Sequence, residues 1–416
     1  MRVLVAATRL AGLDGVSLEA EKLREVLTRD GHRVFALAGE LDPGWEGARV
    51  PAMHFAHPQA RALAEAAFSG EGADPLLMER VARAALDLHR AMVAALGDFS
   101  PEVLVVQNAW AIPMHLSLAP ALHRLWRGLG VPAIAHNHDY AWERRRFLKN
   151  RVGPLLAHRF PPAGAVQLSI NSLAQAELRS RRGLASLLLP NVMDFDRPPP
   201  GPDAFNADFR DRMGIGDRPL LLQPTRVVPR KRIERSLELA AHLKHRGHDP
   251  VVLVSHPAGD EGYRYRDRLL GLARRLRVDL RFAGAAIGPR RGEGPKGKVY
   301  SLWDAYLHAD LVTYPSGYEG FGNALLEAVW MKKPVVVGRY PVYRHDIRPL
   351  GFRFLELEPE RPTPPEVAEG AHRLLTDPAL RREWTETNHR LARRHFGYRR
   401  LRAVLKEAFG VAGLEA

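Results

Sequence analysis

The chain has 416 residues, 46% hydrophobic and 26% charged, with 61 Lys and Arg against 47 Asp and Glu and no cysteine. That length exceeds one compact core and suits two α/β domains of about 200 residues each, and the missing cysteines exclude disulfides, thiolate chemistry and Cys-ligated zinc. No run approaches the roughly 20 apolar residues that span a bilayer, while a net charge of +14 favours acidic partners: nucleotides, phosphorylated acceptors, anionic lipid surfaces or nucleic acid.

Arg2–Ala7 reads as a buried strand rather than a signal peptide, because Thr8, Arg9 and Asp14 follow before any long apolar core forms. The expected location is cytoplasmic, with peripheral contact at the inner membrane face left open. Rich use of Arg, Leu, Ala and Pro without Cys hints at a thermophilic source. After a loop over residues 8–15, Val16 to Arg29 reads as an amphipathic helix and Gly31–Ala38 as a second strand, a βαβ opening. Gly12 and Gly15 allow close backbone approach to a ligand. The pattern is not GxGxxG, and no acidic ribose binder ends the second strand, which disfavours a dinucleotide site.

A broken helical stretch over 59–97 precedes a strand at Pro101–Val106, a helix near 113–128 and a strand at Val131–His136. That strand ends in His136-Asn137-His138-Asp139, which has three readings. As a metal site it lacks an apparent fourth ligand, and neighbouring strand residues point to opposite faces. The others are structural histidines, or a histidine facing the ligand crevice at the carboxyl edge of an open sheet. Ala165–Asn171 is a further strand, with Ser172 placed to cap the next helix. Leu187–Asn191 ends the first domain, and Pro198–Pro202 reads as a stiff linker. The formal DxD of Asp194-Phe195-Asp196 is assigned to that linker rather than to a cation site.

The second domain opens with a strand at Leu220–Thr225, then Arg226, Lys231 and a helix to about His245. An arginine fork and a lysine point charge five residues apart can reach one diphosphate. Cations at a helix start oppose its dipole, which itself suggests a bound anion. Strands are predicted at Val251–Ser255 and Leu280–Gly284. Gly288–Lys298 is read as a long basic loop that either closes over phosphates or a lipid surface or is an exposed insertion. Further strands at Pro334–Gly338 and Phe352–Leu357 precede helices near 364–376, 379–394 and 398–410.

The chain is organised around the stretch Ser316–Glu327, which follows the apolar run Asp310–Pro315. Here Gly320-Phe321-Gly322-Asn323 opens onto a helix N-terminus, whose amides and dipole suit an anionic or hydroxyl-rich ligand. Glu319 and Glu327 bracket it, and Glu327, among packing residues Leu325, Leu326 and Val329, is expected to face a polar cleft. Carboxylates accept paired hydrogen bonds from vicinal hydroxyls of a ribose or hexose.

This Glu, seven residues, Glu spacing around Gly-Phe-Gly-Asn resembles the retaining GT-B glycosyltransferases of family 4 (glycosyl transferases group 1). The resemblance implies an α/β GT-B fold, two Rossmann-like doubly wound domains facing an interdomain cleft. These would be an acceptor domain over 1–195 and a donor domain over 196–395, with residues 396–416 returning to the first. Its implied activity is transfer of a hexose from a nucleotide diphosphate sugar with retention, with no cofactor and no metal. Glu319 would touch the donor sugar, Glu327 the nucleotide ribose, and Arg226 and Lys231 would clamp the diphosphate. His138, with His136 as alternate, would contact the donor hexose, Gly15 would lie beside the phosphates, and the loop at Gly284 would hold the nucleobase. Val192 departs from the family, which usually has glycine there. The acceptor is undefined, with an anionic or lipid-linked molecule open. Competing readings are a sugar phosphorylase, a nucleotide-sugar epimerase, or a basic nucleic-acid-binding protein, although no aromatic-interleaved basic motif supports the last.

Overall fold

The computed structural model describes residues 1–12, 14–259, 262–295 and 297–414. Two compact units divide the chain: Met1–Val192 with Tyr398–Ala416, and Met193–Gly397. In the first unit, strands β1 (Arg2–Ala7), β2 (Arg33–Ala38), β3 (Gly47–Arg49), β4 (Val103–Gln107), β5 (Ala133–Asn137), β6 (Val166–Ser169) and β7 (Ser186–Leu188) form one sheet. The order is β3-β2-β1-β4-β5-β6-β7, and every pairing is parallel.

Parallel sheets covered on both faces demand uninterrupted apolar strands, and β1 and β4 supply them. Their side chains alternate between two cores. Leu4, Ala6, Leu104 and Val106 face the helices Pro75–Leu96 and Leu118–Leu129. Val3, Val5, Val103 and Val105 face the helices Gly15–Arg29 and Tyr398–Val411. Leu401, Val404, Leu405 and Ala408 make the buried stripe of that last helix. Tyr398 Oη donates to Glu25 Oε2 at 2.6 Å, and Arg402 pairs with Asp30 at 2.8 Å.

The second unit repeats the plan with β8 (Leu220–Gln223), β9 (Val251–Val254) and β10 (Asp279–Phe282) on one side. Beyond them come the short β11 (Ile287–Gly288), β12 (Gly292–Gly294) and β13 (Gly297–Ser301), then β14 (Leu311–Tyr314), β15 (Val335–Gly338) and β16 (Leu355–Leu357). The main sheet runs β10-β9-β8-β14-β15-β16. Strand order therefore reverses between β8 and β14 here, and between β1 and β4 in the first unit. Open α/β sheets bind ligands outside the carboxyl ends of strands at such reversals.

Several local expectations change. Residues 288–298, read as a loop, carry part of a three-stranded sheet in the order β11-β13-β12, although Lys296 lies outside the described residues. Arg291 to Asp203 at 2.6 Å and Lys298 to Asp208 at 2.7 Å anchor it, so these two basic residues are paired with carboxylates rather than held over phosphates. The cap predicted at Ser172 falls one residue earlier: Asn171 is extended and accepts from Ala174 N at 2.7 Å. The helix predicted from 113 begins at Leu118. In the presumed linker, Asp196 pairs with Arg393 at 2.6 Å and Phe195 stacks edge-on against His389.

Candidate active site

In the second unit, the loops leaving β8 and β14 meet at the strand-order reversal. The β8 loop tightens into a 3₁₀ turn, Pro229–Lys231, and Arg232 takes a left-handed conformation (φ 49°) before the helix Ile233–Lys244. Lys231 thus precedes the helix instead of opening it. The first helical turn carries Glu234, and Arg232 pairs with Glu360, so no uncompensated cation opposes the dipole. The dipole mismatch that suggested a bound anion at this helix start is therefore absent.

Lys231 Nζ pairs with Glu319 Oε1, both side chains being only 9% exposed. Arg230 Nη1 reaches the other oxygen, Glu319 Oε2, at 3.3 Å and the Tyr318 carbonyl at 3.1 Å. Gly317 N returns a bond to Arg230 O at 2.9 Å, tying the two loops together. The Lys231 ammonium also stands 5.4 Å from the Tyr314 ring centroid. Burial lowers the Lys231 pKa, and Glu319 opposes that shift. Burial alone would raise Glu319, yet Lys231 and Arg230 hold it below the usual carboxylate range. Arg226 is exposed, close enough for its charge to contribute to the lowering of Lys231.

Gly320, Phe321 and Gly322 follow directly, and Asn323 starts the helix Asn323–Trp330. Among the described residues, the amides of Phe321 and Gly322 have no acceptor. Tyr340 Oη donates to Phe321 O at 2.6 Å and fixes the turn. Gly322 sits at φ 123°, and a Cβ there would lie 2.6 Å from Tyr340 Oη. Backbone strain and crowding act together, so Gly322→Ala should cost about 2–4 kcal/mol in urea denaturation. Wild-type stability would contradict this turn geometry.

Glu327 is half-buried, and its Oε2 accepts from Tyr306 Oη at 2.9 Å. Tyr306 was not singled out from the sequence; burial first, then the Glu327 carboxylate, push its pKa well above the usual phenol value. Gly284 has a packing reason for its identity, since a Cβ would stand 2.4 Å from Pro257 N.

In the first unit, Asn108, after β4, holds the turn after β5 in place. Its φ is 59°. Its Oδ1 accepts from His138 N at 2.9 Å, and its Nδ2 donates to Asp139 at 2.8 Å. His138 Nε2 lies 3.2 Å from Gln107 Oε1. His136, two residues earlier, shares its side of the strand, with ring centroids 4.3 Å apart. Neither nitrogen of His136 has a hydrogen-bond partner. Asp139 is committed to Asn108 and Arg144. Among the described residues there is no group of three or more His, Cys, Asp or Glu arranged to hold a metal.

Gly15 is the exposed first residue of its helix, and Leu13 beside it lies outside the described residues. Asp14 caps this helix: its carboxylate accepts from Val16 N at 3.1 Å, Ser17 N at 3.2 Å and Arg9 at 2.9 Å. The anion-binding capacity of this terminus is therefore already met by a side chain. An Asp-Gly pair at the helix start was the available signal.

Comparison with known proteins gives the same setting. The pattern described as glycosyl transferases group 1 matches residues 206–390, which hold Arg226 and the Lys231, Glu319 and Arg230 cluster. The chain is 31% identical to the mannosylglucosylglycerate synthase of Thermotoga maritima, covering 97% of this chain and 99% of that one. It is likewise 31% identical to the enzyme of that name from Petrotoga mobilis, covering 86% of each. A glycosyltransferase crystal structure from Rickettsia africae superposes with a TM-score of 0.67 at 12% identity, covering 98% of each chain, a likeness of fold. With this agreement along nearly its whole length, the chain belongs to the glycosyl transferases group 1 family, GT-B enzymes of family 4 that move a sugar from a nucleotide-sugar donor.

Proposed function

We propose that the protein transfers a mannosyl group, with retention, from a nucleotide diphosphate sugar to glucosylglycerate. The observation that carries the donor half is the buried Lys231–Glu319–Arg230 cluster at the β8/β14 reversal, beside the unpaired amides of Phe321 and Gly322. Breaking the bond from the anomeric carbon to the leaving phosphate oxygen builds negative charge on the diphosphate. Lys231, Arg226 and those amides stabilise that charge in a poorly hydrated setting. As Lys231 turns to the diphosphate, Glu319 keeps Arg230 and gains capacity to accept from donor hydroxyls. Glu327 is assigned to the ribose and His138 to the hexose; Gly284 retains the role that the family likeness implies, whereas Gly15 is assigned no phosphate contact, because Asp14 already fills its helix terminus. The acceptor half follows the name borne by the two relatives, and a glycerate carboxylate suits a chain of net charge +14.

The test incubates the protein and glucosylglycerate with GDP-, UDP- or ADP-mannose, with and without chelator, and reads product by mass and anomeric configuration by NMR. One donor should yield an α-linked product at equal rate in chelator. No product from any donor, or a β linkage, rejects the assignment.

A further inference from the structure

On the second unit, the helix Arg264–Leu276 and the turn Pro229–Arg232 border a groove of about 1040 Å³, room enough for a nucleotide-sized ligand. Arg264, Arg268 and Arg275 line one side. Offsets of four and eleven residues place the three on one helix face, spanning roughly 16 Å at 1.5 Å per residue. Gly271 lies on that face between them, and Arg275 Nη1 is 3.7 Å from where its Cβ would stand. Among the described residues, these three guanidiniums have no carboxylate partner. The neighbouring acids are already committed: Asp267 to Arg266 at 2.9 Å, and Glu234 to the Tyr265 hydroxyl at 2.5 Å. Like charges on one face repel, and a multiply charged anion relieves that repulsion while accepting forked hydrogen bonds.

The same groove reaches the back of the donor turn. Pro229 and Arg232 line it, while Arg230 and Lys231 between them reach Glu319. Tyr265, also in its wall, accepts from Ile233 N at 2.8 Å at the start of the following helix.

We propose that this groove binds a small polyanion, with two or more phosphate or carboxylate groups, and that its occupancy shifts the Arg230–Lys231 turn and so alters nucleotide affinity. Binding stands independently of the function proposed above; the coupling rests on it.

The test is calorimetry on the full chain with inorganic tripolyphosphate, the donor site first saturated with whichever of GDP, UDP or ADP binds. Saturable 1:1 binding is expected, weakened at least tenfold in R268Q/R275Q, whose altered side chains are exposed and should leave the thermal midpoint unchanged. Equal binding by the variant, or none to wild type, overturns the site. Nucleotide Kd should change at least threefold with tripolyphosphate in wild type and stay constant in the variant. A constant Kd in wild type overturns the coupling. If none of the three nucleotides binds, the donor assignment falls, and the groove is decided by the same wild-type and variant comparison without nucleotide.

Discussion

Lys231→Ala should lower turnover by two to three orders of magnitude, the usual effect of losing one preorganised group that stabilises developing charge. It should also destabilise the fold, because Glu319 is 8% exposed and, among the described residues, would keep a single cationic partner, Arg230 at 3.3 Å. Removing one partner of a buried pair costs about 3–5 kcal/mol, since the other charge stays behind without its counterion. The two losses are separable. In the double variant Lys231→Met, Glu319→Gln, no buried charge is stranded, so stability should largely return while turnover stays low. Initial rates and urea midpoints on the three proteins decide the matter. Near-normal turnover in Lys231→Ala would remove this lysine from the reaction, and an unchanged midpoint would mean that the pair contributes nothing to folding.

The two sheets were legible because their central strands are unbroken apolar runs. Val3–Ala7, Val103–Val106, Val251–Val254 and Val335–Val337 admit few other readings between helical periods. The Glu319 to Glu327 spacing around three glycine-turn residues was legible for the same local reason. The meeting of Lys231 and Glu319 was legible only through the family resemblance, since 88 residues separate them and strand order brings their loops together. Arg230 was hidden for a different reason. It belongs to three consecutive cations, and only the 3₁₀ turn followed by a left-handed Arg232 sends two of them to Glu319 and the third to Glu360. The small sheet around residues 287–301 escaped because glycines and long-range ion pairs, not alternating apolar residues, hold it.

Acidification from pH 7 to pH 5 should remove about 4 kcal/mol of stability through two histidines. His136 and His138 are 3% and 8% exposed. Burial, with His138 adding to the effect, holds His136 well below the ordinary imidazole value; burial, with Lys22 adding, holds His138 at about 3. Because both folded values lie below the unfolded 6.5, the unfolded chain binds protons first as pH falls. Stability is therefore full above about pH 6.5 and is lost at about 1.4 kcal/mol per pH unit for each ring below it. His136→Leu separates this effect from general acid denaturation. The substitution removes two buried ring nitrogens that have no partner, so at pH 7.5 stability should be unchanged or up to about 2 kcal/mol higher. At pH 5 the advantage should widen by a further 2 kcal/mol or so, one ring's share of the slope. Urea midpoints of wild type and variant across this range provide the measurement. Parallel pH profiles would show that His136 takes up its proton without unfolding, and the neutral, buried ring pair would have to be abandoned.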